Sequence, residues 1–144
     1  MITTTKLSNI EGEFFDKPTF YRSVVGALQY VTLIRLEIVF VVNKVSQFMH
    51  QPQLPHWLGV KKILRYLVGT IDHGIIFRPC TNLRIFAFAG SNWGSDVDDR
   101  RSTSGSCVFL GSNIVAWYSR QQRSVSRSSA EAEFQSIAAV EIDI

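Results

Sequence analysis

Three groups of basic residues stand close together along the chain: Lys61 with Lys62 and Arg65, Arg100 with Arg101, and Arg120 with Arg123 and Arg127. Clustered Lys and Arg side chains suit a phosphate backbone, because each contact displaces a condensed counterion. The same residues also make an ordinary solvated helix face or loop, so the clusters admit both readings. The overall balance is mild, a net charge of +3 with an isoelectric point near 9.1. Trp57, Trp93 and Trp117 offer stacking surfaces for bases, although Trp57 and Trp117 fall on the apolar sides of their segments, which favours core packing. Asp96-Val97-Asp98-Asp99 reads as a solvated acidic loop. Cys80 and Cys107 have neither a Cys-x-x-Cys partner nor a histidine at metal spacing, so they suggest no disulfide framework and no zinc site. His50, His56 and His73 lie near segment ends without a carboxylate or cysteine in pattern and are assigned no catalysis.

The segments that must position these residues change character midway. Residues 1–18 lack sustained periodicity and read as an irregular lead-in that ends at Pro18. Tyr21, Val24, Val25 and Leu28 then fall at helical spacing, and Ile38, Val41, Val42, Val45, Phe48 and Met49 repeat the stripe. A third helix is predicted from about His56 to Val68, with Trp57, Val60, Leu64 and Leu67 on one face and Gly69 to end it. Residues 74–78 and 83–89 read as short strands, the second with both faces partly buried. Gly111-Ser112-Asn113 predicts a turn joining residues 106–110 and 114–118 into a hairpin. A basic loop over 119–127 follows. Ser128 with Glu131 three residues on then forms a capping-box pattern, opening a helix whose apolar face is Ala130, Phe134, Ile137 and Ala138.

With 46% hydrophobic and 19% charged residues the chain has the composition of a folding protein. Its longest apolar run, residues 38–42, is far short of the roughly 20 residues of a membrane span, and residues 1–10 are too polar for a secretory signal. An intracellular protein with no membrane partner is the expectation.

This order of segments carries a set of motifs that resembles the Pol polyprotein of copia-type LTR retrotransposons. Tyr21-Arg22-Ser23-Val24-Val25-Gly26-Ala27-Leu28-Gln29-Tyr30, Asn43-Lys44-Val45-Ser46-Gln47-Phe48-Met49, His56-Trp57 and Ile63-Leu64-Arg65-Tyr66-Leu67-Val68-Gly69-Thr70 are similar to the helical region behind the family's polymerase palm. Asn92-Trp93-Gly94-Ser95-Asp96, Arg100-Arg101-Ser102-Thr103-Ser104-Gly105 and Ser128-Ser129-Ala130-Glu131-Ala132-Glu133-Phe134 are similar to the opening of its RNase H domain. The resemblance implies an α+β chain: a helical reverse-transcriptase tail over 19–78, then a truncated RNase H-like β-β-β-α unit over 79–144. Family activities are RNA-directed DNA polymerisation and Mg2+-dependent cleavage of the RNA strand of an RNA:DNA hybrid, which makes that hybrid the implied partner.

Cleavage of this type needs several carboxylates converging on two divalent cations about 4 Å apart. The family's first aspartates lie in an Asp-Ala-Asp-Trp motif, and this chain has Gly90-Ser91-Asn92-Trp93 there. Of the family's acids only the helix carboxylate is matched, by Glu133, whose alternative role is that of one more solvated helix residue. The remaining nuclease acids lie beyond Ile144 in the family, and the polymerase aspartates lie upstream of the matched region. The resemblance therefore predicts a catalytically inactive segment that binds no Mg2+. As the second function, it predicts hybrid binding without cleavage through Arg120, Arg123 and Arg127 and through Lys61, Lys62 and Arg65. Where the family has Thr-Arg-Pro-Asp-Ile, this chain has Ile34-Arg35-Leu36-Glu37-Ile38, without the proline that starts a helix rigidly. An incomplete sheet would leave an open edge and an uncovered apolar face, which predicts low stability or self-association of the isolated chain.

Overall fold

A computed structural model of the chain describes residues 7–9 and 12–143. It divides into two compact units, Met1–Gly74 and Ile75–Ile144, each built around its own packing. The sequence places the break after Arg78. Parts of the expected lead-in over 1–18, namely 1–6, 10 and 11, lie outside the described residues, as does Ile144.

In the first unit Pro18 occupies the start of helix α1, Pro18–Val31, where its missing N–H would have had no helical acceptor. Tyr21, Val25 and Leu28 form the buried stripe, as the spacing predicts. A 3-10 turn, Leu36–Ile38, leads into α2, Val39–Ser46, so the turn forms with Leu36 in place of the family's proline. The stripe expected to run on to Met49 outlasts the helix, which ends at Ser46, yet Phe48 remains buried beyond it. Helix α3, Leu54–Gly69, buries His56, Val60 and Ile63. This corrects the expected face, since Leu64 is exposed and Trp57 and Leu67 only flank the core. The reason lies at the N-terminus of α3, where the Gln53 N–H donates to His56 Nδ1 at 3.1 Å and the Gln53 side chain caps the His56 N–H. This reciprocal cap holds the imidazole inward, stacked on Phe48 at 3.9 Å, and rotates the buried stripe to follow it.

Tyr21, Val25, Leu28, Ile38, Val42, Val45, Val60 and Ile63 make one core. Burying side chains such as Ile63 stabilises by about 1.5–3 kcal/mol each relative to exposure. The Tyr21 hydroxyl donates to the Val45 carbonyl at 2.7 Å inside this core, tying α1 to α2. Arg35, only 6% exposed, closes the other end of the unit. Its Nε pairs with Glu37 at 2.5 Å, while its terminal nitrogens donate to the Thr70 carbonyl at 2.9 Å and the Thr70 hydroxyl at 2.6 Å. The turn before α2 is thereby fastened to the end of α3.

The second unit is an antiparallel sheet of three strands in the order β1-β2-β3: β1 is Ile85–Asn92, β2 Thr103–Leu110 and β3 Asn113–Gln121. Helix α4, Ser129–Asp143, follows and packs on β1 and β2. Mixed helices with a small antiparallel sheet make the chain α+β. The predicted hairpin is present, and Gly111 turns it at φ +60°, with a Cβ there meeting the Asn82 carbonyl at 2.4 Å and Cys80 Sγ at 2.5 Å. Only glycine fits both the conformation and the space.

Four expectations fail in this unit. Residues 74–78 are not a strand, because the Arg78 N–H and C=O are both engaged by the Asn113 side-chain amide, at 2.8 Å each, instead of by a ladder. The strand predicted over 83–89 runs instead over Ile85–Asn92, with Ile85, Phe86 and Phe88 at 60%, 44% and 61% exposure, so the expected burial of both faces is not met. Arg120 belongs to β3 and not to the loop, since the ladder extends to Gln121 opposite Thr103. The face of α4 that meets the sheet is Ala132, Ser136 and Val140, whereas Phe134 is 71% and Ile137 47% exposed. Close approach explains this choice of small residues: the Ser136 hydroxyl donates to the Gly90 carbonyl at 2.9 Å. The register puts Phe86 beside Phe109 and Phe88 beside Cys107, and these rings cluster on the opposite side from Ser104, which is linked to α4 through Gln122.

Candidate functional site

The sequence-predicted carboxylate, Glu133, sits in the second turn of α4 with its Oε1 accepting the Ser91 N–H at 3.3 Å. Two elements produce this proximity. β1 ends its ladder at Asn92 opposite Thr103, and Ser136, one turn on from Glu133, anchors α4 to Gly90. The helix acid is thereby held beside the strand end, next to Gly90 and Asn92. A Cβ built at Gly90 meets nothing within 4 Å, and the register turns it to the phenylalanine side of the sheet. The helix begins with half of the predicted capping box: the Glu131 N–H donates to Ser128 Oγ at 3.2 Å, while the Glu131 carboxylate accepts from the Arg127 N–H at 2.7 Å, one residue earlier than the motif requires.

Asp96 is buried at 7% exposure and serves its own loop. Its Oδ1 accepts the Asp98 and Asp99 N–H groups at 2.9 and 3.3 Å, and its Oδ2 accepts from Gln121 at 3.1 Å. These bonds make Asp96 a brace of the β1–β2 loop. Among the described residues no group of three or more His, Cys, Asp or Glu side chains converges.

The predicted basic residues fall in two places. Arg120 lies on β3 with its guanidinium 4.9 Å from the Tyr118 ring, and Arg123 and Arg127 are exposed on the connection between β3 and α4. Lys61, Lys62 and Arg65 belong to α3 in the first unit, with Lys61 Nζ 5.9 Å from the Trp57 ring. Sequence reasoning missed the residue that shapes the basic connection, Gln122. Its Nε2 donates to Ser104 Oγ and to the Ala132 carbonyl at 2.9 Å each, its Oε1 accepts from Ser126 Oγ at 3.0 Å, and its N–H reaches the Ser102 carbonyl at 2.8 Å. A glutamine among arginines looks like surface, and nothing in its type announces a buried clamp. Backbone hydrogen bonding at Ser112, then at Asn82, holds the Cys80 thiol below the ordinary range.

No family model matches the chain, and no solved structure does. It is 43% identical over 138 residues, 96% of its length, to the retrovirus-related Pol polyprotein from transposon RE2 of Arabidopsis thaliana, of which it spans about a tenth. It is 44% identical over 131 residues to an uncharacterized mitochondrial protein of the same plant, covering 91% of this chain and 55% of that one. It is also 36% identical over 118 residues to a secreted RxLR effector protein of Plasmopara viticola, 81% of this chain and 83% of that one. An α+β chain with these relatives is a segment of a mobile-element polyprotein. It belongs to the family of copia-type retrotransposon Pol polyproteins.

Proposed function

We propose that this chain joins the end of the reverse-transcriptase region, 19–78, to the start of an RNase H domain, 79–144, and that it does not cleave nucleic acid. One observation carries the reading: Glu133 stands 3.3 Å from the Ser91 N–H, at the strand end where the family's aspartates lie, and the flanking positions are Gly90 and Asn92. The family's Mg2+ needs converging carboxylates, and these residues do not fit it. Gly90 has no side chain and Asn92 is neutral, so neither adds a carboxylate to that of Glu133 at this strand end. Polymerisation lies outside this stretch in the family, and RNase H cleavage lacks its ligands. Incubation of the chain with an RNA:DNA hybrid and Mg2+ tests this. The expected result is intact RNA, and cleavage that disappears in Glu133→Ala would overturn it.

A second reading is favoured by the exposed Arg123 and Arg127 on the connection that Gln122 clamps. On this reading the second unit holds a hybrid by its phosphates without cutting it, in an intracellular setting, with Arg120 as a further cation, and Lys61, Lys62 and Arg65 do likewise from the first unit. Binding should weaken steeply with salt. Arg123→Ala with Arg127→Ala should flatten that dependence, and an unchanged salt slope would count against the reading. The uncovered phenylalanine face of the sheet supports self-association as an additional property.

A further inference from the structure

Trp93 follows β1 directly and keeps 51% of its surface exposed, although its indole is fixed: Nε1–H donates to the Ser126 carbonyl at 3.0 Å. An exposed aromatic ring held in one orientation binds a second flat group with little loss of side-chain freedom. Basic residues adjoin the two segments that hold it. Ser126 is followed by exposed Arg127, whose N–H is held by Glu131, so the backbone at that point is set by the start of α4. Gly94, the residue after Trp93, has the Arg100 guanidinium along it, 3.7 Å from where a Cβ would lie. Arg100 takes up that place with φ +60°, a left-handed conformation uncommon for a residue with a side chain. Its neighbour Arg101 pairs with Asp99 at 3.2 Å, and Asp96 accepts from the Asp98 N–H and from Gln121.

We infer that Trp93 is a stacking platform for an unpaired base of a nucleic-acid strand, with the adjoining phosphates met by Arg100 and Arg127. This rests on the nucleic-acid-binding reading and adds to it a preference for a single-stranded segment, because the bases inside a duplex have no free face to offer a ring. A single tryptophan beside two cations reads no base identity, so the preference is for strandedness and not for sequence.

The test is fluorescence anisotropy of the full chain with a labelled blunt RNA:DNA hybrid and with the same hybrid carrying a short single-stranded tail. The parent should bind the tailed form more tightly. Trp93→Ala should lose about tenfold on the tailed form, the range expected for one base–aromatic stack, and little on the blunt form. Trp93→Phe, which keeps a ring and gives up the bond to Ser126, should retain most of the tailed-form affinity. Equal losses on both forms in both variants would mean that Trp93 only anchors the loop, and would overturn the inference while leaving hybrid binding intact. An unchanged preference in Trp93→Ala would overturn it as well. If the parent binds neither form at low salt, the binding reading itself fails and the inference with it.

Discussion

If the proposed reading holds, placing aspartate at both Gly90 and Asn92 should create a divalent-cation site at this strand end. Sterically the change at Gly90 is open, since a Cβ there meets nothing within 4 Å. The electrostatic consequence can be sized. Two new carboxylates near Glu133, whose Oε1 lies 3.3 Å from Ser91 N, would repel one another. At separations of about 5–8 Å and an effective dielectric between about 20 and 80, each of the three pairs costs about 0.5–3 kcal/mol, and the exposure of Glu133 favours the lower end. The cation-free double variant should therefore be about 1–2 kcal/mol less stable than the parent. Mg2+ reverses the sign of the local field, and at ten times its dissociation constant it would restore about 1.4 kcal/mol. Urea unfolding followed by far-UV circular dichroism, with and without Mg2+ at matched ionic strength, reads both effects. The midpoint of the variant should rise with Mg2+ while that of the parent stays put, and Glu133→Gln added to the variant should diminish the rise. A variant indifferent to Mg2+, or a parent that responds equally, would refute the proposal that Gly90 and Asn92 keep a divalent cation from this strand end.

Tyr21→Phe should destabilise by about 0.5–1.5 kcal/mol, because the Val45 carbonyl loses the hydroxyl and keeps the Phe48 N–H at 3.3 Å. Burial raises the Tyr21 pKa above its ordinary 10, so the folded chain keeps a proton that the unfolded chain releases. The stabilisation is complete below about pH 10 and is lost above it at about 1.4 kcal/mol per pH unit, so urea midpoints should fall less steeply above that pH in Tyr21→Phe than in the parent. Arg35→Met leaves Glu37 and both Thr70 acceptors without their buried partner and should cost about 2–4 kcal/mol, seen as a lower thermal midpoint; a loss under about 0.5 kcal/mol would contradict the clamp. Phe88→Ser, at a position 61% exposed on the uncovered sheet face, should reduce concentration-dependent association in sedimentation velocity, and a parent that stays monomeric throughout would remove the case for that face.

The elements that could be read in advance are those whose signals are local. Pro18 with the stripe Tyr21, Val25, Leu28 marked α1, and Gly111 marked the hairpin, because a helix start and a tight turn are decided within a few residues. What escaped depends on partners far along the chain. The face of α4 was misread because large apolar residues, Phe134 and Ile137, suggested a core, whereas the small Ala132 and Ser136 let the helix lie close on β1. His56 and Gln122 were passed over because each does its work through partners brought by folding, Ser8 and Phe48 for the one, Ser104 and Ala132 for the other. Glu133 was singled out through family resemblance alone, and its neighbourhood to Gly90 became visible only once α4 was docked on the sheet. Arg120 was taken for loop because basic residues rarely announce a strand, yet its pairing with Ser104 puts it in one.

The strand order β1-β2-β3 means that each ladder joins stretches adjacent in the chain, the second across a turn of two residues. Pairings of this kind close short loops and reach their contacts quickly. During synthesis the meander can assemble strand by strand as it leaves the ribosome, before α4 exists to cover it. Until Ser136 reaches Gly90, the hydroxyls of Ser91 and Ser106 on the helix side stay in water, so the growing sheet is wetter on that side than on its phenylalanine side, and less prone to stick there.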